Sequence, residues 1–211
     1  MLGGLPADVP ASFLVVLHIP ATGGRHLPGI LDRAGPLRAA HAIDGERLRP
    51  GRVYLAPPDR HLLVIKDTVR VSHGPRQNGF RPAADPLFRS AALHAGPRTT
   101  AVVLSGSLDD AALGCTTVER RGGRVIVQDP AEANYGSMPR SAIAATEHPI
   151  VTPAADLARQ VTRLAREKIS MLLPDGVGHF SQVAEEATQL ADALREVAGS
   201  MTAQTPEPDQ A

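Results

Sequence analysis

TAVVLSGSLDDAALG, Thr100 to Gly114, decides the fold of this chain. Ala101-Val102-Val103-Leu104 is apolar without polar alternation, as expected of a parallel strand covered on both faces. Ser105-Gly106-Ser107 breaks that run, and Asp109 and Asp110 stand where a helix would open. Gly122-Gly123 supplies the helical stop, and Arg124 to Gln128 is the next strand. In open α/β sheets ligands gather where strands end and helices begin. A carboxylate just past Leu104 therefore lies on the edge where chemistry is expected. The helix macrodipole would also account for both aspartates as ordinary first-turn residues.

The same texture extends outward in both directions. Phe13 to Leu17 is a second continuous apolar run, closed by His18-Ile19-Pro20, so His18 also stands at a strand's end. His26 to Arg33 has a short helix signal stopped by Gly35-Pro36, and Gly51 to Pro58 is a strand closed by two prolines. His61 to Ile65 and Thr68 to Ser72 form a hairpin across Lys66-Asp67. Gly74 to Pro82 is a polar loop, Asp85 to Ala95 has helical spacing, and Arg140 to Ala145 is a short helix. This alternation implies a three-layer α/β/α, doubly wound, mainly parallel sheet with an antiparallel hairpin. From Thr152 the pattern changes. Thr152 as N-cap and Pro153 at the first helical position open a helix whose Leu157, Val161, Leu164 and Ala165 share one face. A second helix begins near Ser181, with Val183, Ala187, Leu190, Leu194 and Val197 in a stripe. The expected organisation is a domain over residues 1–151, a helical extension over 152–201 and a disordered tail over 202–211.

Composition excludes several classes. Lys plus Arg and Asp plus Glu both total 22 in 211 residues, so no net field draws the chain to nucleic acid or an anionic membrane. No apolar run approaches the ~20 residues that span a bilayer, and a cytoplasmic protein without membrane insertion is expected. Cys115 is the single cysteine, which rules out an internal disulfide. Its place in the expected helix after Asp110, with Leu113, Thr117 and Val118 toward the sheet, makes it a small partly buried filler rather than a reactive thiol. The other seven histidines, among them His41, His61 and His148, read as surface or loop residues. None forms a spaced pair beside a suitable carboxylate, so there is no zinc motif, and nothing else in the chain implies a metal or a cofactor.

His18 and Asp110 remain as groups that chemistry could use together. A histidine held by a carboxylate can take a proton from a hydroxyl and return it to a leaving group. Six short stretches carry a family resemblance around them: LVVLHIP at Leu14 to Pro20, GRVYLAPPDRHL at Gly51 to Leu62, and RPAADPLFRSAALHAG at Arg81 to Gly96. VVLSGSLDDAALG, GGRVIVQDPAEA at Gly122 to Ala133 and GSMPRSAI at Gly136 to Ile143 complete them. In this order they resemble the catalytic domain of the CheB-type chemotaxis protein-glutamate methylesterases, from about Leu5 to Leu157. The resemblance implies His18 and Asp110 as catalytic residues, and a backbone N–H near Ser107 in the oxyanion hole. It implies Met138 and Arg140 lining the site, and Asn78 and Arg81 on a substrate loop. It further implies hydrolysis of glutamate methyl esters, or glutamine deamidation, on methyl-accepting receptor helices as partners, and it allows a receiver domain as another.

The departures are specific. The family's serine lies in a Gly-Ala-Ser-x-Gly-Gly turn between its first strand and first helix, and nothing before His18 matches that turn. The family's Asn-Arg-His-Arg-Pro loop stands here as Asn78-Gly79-Phe80-Arg81-Pro82, and the glycine after the family's aspartate is Ala111. Two expectations follow from the unmatched serine. In one, Met1 is an internal methionine and the first strand and nucleophile turn precede it. In the other, the chain is a non-catalytic regulatory module that binds a receptor or sensor helix.

Overall fold

The computed structural model describes residues 1–172, with side chains to residue 167. β1 (Phe13–Val15) is short because Pro10 and Pro20 bracket it. It leads through α1 (Leu27–Arg33) to β2 (Arg38–His41) and then β3 (Arg52–Leu55). β3 is central to this half: β1 and β2 both pair with it in parallel, Phe13 opposite Val53 and His41 opposite Leu55. β2 was not expected from the sequence, since its Arg-Ala-Ala-His has little strand propensity. It forms because β3 offers an unpaired ladder beside it. β4 (His61–Ile65) and β5 (Thr68–Ser72) make the expected antiparallel hairpin, with Ile65 opposite Thr68.

α2 (Ala84–Ala95) then leads to β6 (Thr100–Val103), α3 (Ala112–Arg120), β7 (Arg124–Gln128), α4 (Ser137–Ala144) and β8 (Ile150–Thr152). β7 is the middle of this second parallel half, with Val103 opposite Val127 on one side and Gln128 opposite Thr152 on the other. Thr152 is thus a strand residue and not an N-cap. The parallel ladder takes its backbone, Asp129 N–H donates to its carbonyl at 2.9 Å, and α5 (Leu157–Leu172) starts only after a 3₁₀ turn.

Alternation along β7 shows the three layers. Val125 and Val127 pack with Ala92, Cys115, Val118 and Ala142 of α2, α3 and α4. Ile126 points the other way, into a cluster with Leu5, Val9, Leu37, Val53, Leu157, Val161 and Leu164. The apolar stripe of α5 therefore turns inward and shares the core of the preceding residues. A third cluster joins Tyr54, Leu62, Val64, Val69 and Leu87 under the hairpin. α3 is rotated relative to the sequence reading. It begins at Ala112 and not at Asp109, so Cys115 and Val118 are buried while Leu113 is 64% exposed. The second helix expected from Ser181 and the tail over 202–211 lie outside the described residues. Among the described residues no helix is long and apolar enough to cross a membrane.

Candidate active site

Three residues beyond β1 and seven beyond β6, His18 and Asp110 meet at the carboxyl ends of the two parallel halves. Nε2 of His18 lies 2.7 Å from Oδ2 of Asp110, with the histidine side chain 24% exposed and the aspartate 0%. Asp110 does not cap its own helix. Its oxygens accept the backbone N–H groups of Ala84 (2.6 Å) and Asp85 (3.1 Å), which open α2, and of Ala111 (3.0 Å). Burial pushes the carboxyl up, but the bonds from His18, Ala84 and Asp85 outweigh burial and hold it below the ordinary aspartate range. An ionised carboxylate only accepts, so in the neutral imidazole Nε2 carries the proton. Nδ1 then has a free lone pair and no hydrogen-bond partner among the described residues.

Asp85 is a site residue that the sequence shows only as a first-turn acidic residue of α2. Its Oδ1 accepts the Gly114 N–H at 2.7 Å, so α2 and α3 each satisfy the other's N-terminus through a buried carboxylate. Gly114 permits the approach: a Cβ there would stand 2.6 Å from Cβ of Phe88. Burial holds the Asp85 carboxyl above its ordinary range, and the Asp110 charge adds to this.

The loop after β6 is pinned residue by residue. Ser105 N–H donates to Gln128 Oε1 at 2.9 Å, Gly106 N–H to the Tyr135 carbonyl at 2.9 Å, and Leu108 N–H to Ser137 Oγ at 3.1 Å. Ser107 N–H, between them, has no acceptor among the described residues. Met138 packs on Gly106, where a Cβ would lie 2.5 Å from its Cε. Arg140 is exposed, with its guanidinium over Gly136, and no hydrogen bond ties it to His18 or Asp110. Leu108 and Ala111 hold positive φ angles of 66° and 84°, a strained backbone of the kind found at functional sites. The latter also explains why a glycine would suit position 111.

A cleft of about 250 Å³ opens beside His18, lined by Ile19, Arg76, Phe80, Arg81 and Pro82. Arg81 reaches it with its guanidinium committed: Nε and Nη2 lie 2.9 and 2.7 Å from Asp59 Oδ1, and Nη1 donates to the Gly74 carbonyl at 2.8 Å. Arg81, then His73, hold the Asp59 carboxyl below its ordinary range. Asn78 turns to Asp85 Oδ2 at 3.2 Å. Phe80, unremarked in the sequence beyond its place in the loop, stacks on His18 with ring centroids 4.2 Å apart and planes 14° from parallel. His61, expected at the surface, is buried and bonds the Pro75 carbonyl at 2.9 Å. Burial pushes the Cys115 thiol up to about 12. Among the described residues no three His, Cys, Asp or Glu side chains are grouped to hold a metal ion.

Comparison with known proteins gives the chain its relatives. The family model described as CheB methylesterase matches residues 1–161. A protein-glutamate methylesterase/protein-glutamine glutaminase of Methanosarcina mazei is 32% identical over 174 residues, covering 79% of this chain and 47% of its own length. One from Myxococcus xanthus is 40% identical over 167 residues with the same two coverages. The crystal structure of the Thermotoga maritima CheB methylesterase catalytic domain matches with a TM-score of 0.70 and 32% identity, over 76% of this chain and 87% of that one. The chain spans about half the length of the curated relatives it matches.

Proposed function

Because the chain belongs to the CheB methylesterase family, we propose that it serves as the base-bearing part of a protein-glutamate methylesterase and glutamine deamidase acting on the cytoplasmic helices of methyl-accepting chemotaxis receptors. The observation that carries this is the 2.7 Å contact between His18 and a fully buried, ionised Asp110 at the mouth of a cleft. In this reading a serine hydroxyl attacks the ester carbonyl and gives its proton to the free ring nitrogen of His18. Asp110 holds the imidazole in one tautomer and stabilises the imidazolium. The Ser107 N–H donates to the oxyanion, and the imidazolium returns the proton to the departing methanol. Water then repeats the sequence on the acyl-enzyme.

The strands support a position for that serine. β1 and β6 each have one hydrogen-bonded neighbour among the described residues, β3 and β7. Their side chains nevertheless share core clusters, Val15 with Val102 and Val16 with Val103. A further parallel strand between them would end beside His18, and a strand-to-helix turn there would present the hydroxyl. The test is methanol release from methyl-esterified receptor membranes. The 211-residue chain is compared with the same chain carrying, ahead of Met1, a relative's strand and Gly-Ala-Ser-x-Gly-Gly turn. Release by the extended, folded protein supports the reading. A folded extended protein that releases no methanol contradicts it.

A further inference from the structure

We propose that Phe80 is a positioning residue for His18: a flat apolar platform that fixes the plane of the imidazole so that its Nε2–H stays on Asp110 and its Nδ1 stays at the cleft. The proposal deepens the reading of His18 as the proton carrier, but its geometry can be tested without turnover. His18 needs such support. It lies beyond the paired part of β1, is partly exposed, and has a single hydrogen bond, at Nε2. The χ2 torsion of histidine is broad and roughly two-fold. A ring tethered at one nitrogen can therefore tilt about that bond or turn over and leave it. A parallel ring at 4.2 Å centroid distance blocks both motions on one face.

A platform works only if it is itself rigid, and the loop is built for that. Gln77 and Phe80 exchange both backbone bonds, at 3.0 and 2.8 Å, around Asn78 and Gly79, whose φ angles are +51° and +80°. Two positive φ angles with an Asn-Gly pair make a type I′ turn, the tightest hairpin connection. The turn and the residue after it are anchored as well. Asn78 Nδ2 donates to Asp85 Oδ2 at 3.2 Å, and Arg81 is clamped to Asp59 and Gly74. Asp85 is the carboxylate that secures Gly114 of α3, and its own N–H bonds Asp110. The seat of the platform and the seat of the carboxylate are therefore one network. The Phe80 side chain can neither donate nor accept a hydrogen bond, so its contribution is shape and a π face.

The experiment is long-range proton–nitrogen correlation on the ring of His18 in the ¹⁵N-histidine-labelled chain, read beside its thermal unfolding. In the unsubstituted chain the two ring nitrogens should be well separated, as one Nε2–H tautomer. Phe80→Leu keeps an apolar side chain but removes the flat face. It should bring the two nitrogen signals toward each other and speed exchange of the Nε2 proton with water at least tenfold, while Phe80→Tyr keeps the original pattern. If Phe80→Leu fails to fold, Gly79→Ala gives the same readout. Its added Cβ meets nothing within 4 Å and acts only through the strained φ. It should loosen the signals in the same direction. Unchanged tautomer signals and proton exchange in folded Phe80→Leu or, where that variant does not fold, in Gly79→Ala overturn the proposal. A failed methanol assay with an ordered His18 ring would count against the proposed function and leave this inference standing.

Discussion

Two loops meet at His18, and they are held by opposite means. The loop after β6 rests on Asp110, fully buried, whose oxygens collect backbone donors from the start of α2 and from Ala111. The loop over residues 73–82 rests on Asp59, a partly exposed carboxylate ringed by Arg81, Arg76, Arg60 and His73. A buried carboxylate is costly to disturb because its partners have no water to turn to, whereas an exposed one is screened and replaceable. The difference separates an anchor that water cannot replace from one that salt can weaken, the second loop being tied to the buried Asp85 through Asn78 as well.

The comparison is broken most sharply at the buried end. Asp110→Ala strips the acceptor from Ala84, Asp85 and Ala111 N–H groups and should destabilise the chain by about 3–5 kcal/mol, the cost typical of breaking a buried pair. Urea unfolding measures it, and a loss below about 1 kcal/mol would place Asp110 outside the group of structural carboxylates.

Acid gives an intermediate effect with a definite sign. Asp110 has a folded pKa below its unfolded value, so its stabilisation is complete above the ordinary aspartate value of 3.8 and is lost as pH falls through the lowered folded one. Asp85 is opposite. Its folded pKa is raised, so the folded state holds an extra proton between 3.8 and that raised value, and stability rises as pH falls through that window. Melting temperature against pH should therefore fall less steeply in the native chain than in Asp85→Asn just above 3.8. Parallel curves would contradict the assignment.

At the exposed end, Asp59→Asn should lower the melting temperature far less than Asp110→Ala, and by less still in 1 M salt, where screening acts over about 3 Å. Equal effects of the two substitutions would erase the distinction between the loops. The smallest expected effect is at Cys115: a bulky thiol reagent should leave the native chain unmodified and react only after denaturant exposes the thiol.

How much of this could be read in the sequence depends on the length of the signal. The continuous apolar runs before His18 and Ser105 were legible as parallel strands, because burial on both faces removes alternation. The two histidine and aspartate candidates were legible as strand-end residues. β2 was not, since its two alanines have no strand preference and only the partner strand organises them. The phase of α3 was misread because Asp109 and Asp110 look like first-turn residues, whereas Asp110 turns away to α2 and Ala111 sits in left-handed backbone. Asp85 and Phe80 escaped for the same reason. Their roles depend on which loop faces which across 25 and 62 residues of chain, a relation that no local pattern encodes.

In the proposed reaction His18 moves the proton and Asp110 orients the imidazole. The most direct measurement is methanol release by the extended protein and by its His18→Ala and Asp110→Asn variants, each verified as folded. Asp110→Asn should lower kcat on the order of 10⁴-fold with little change in KM, because the amide turns the imidazole to the wrong tautomer, and His18→Ala should lose at least as much. Release within tenfold of the unsubstituted protein in either variant would contradict it.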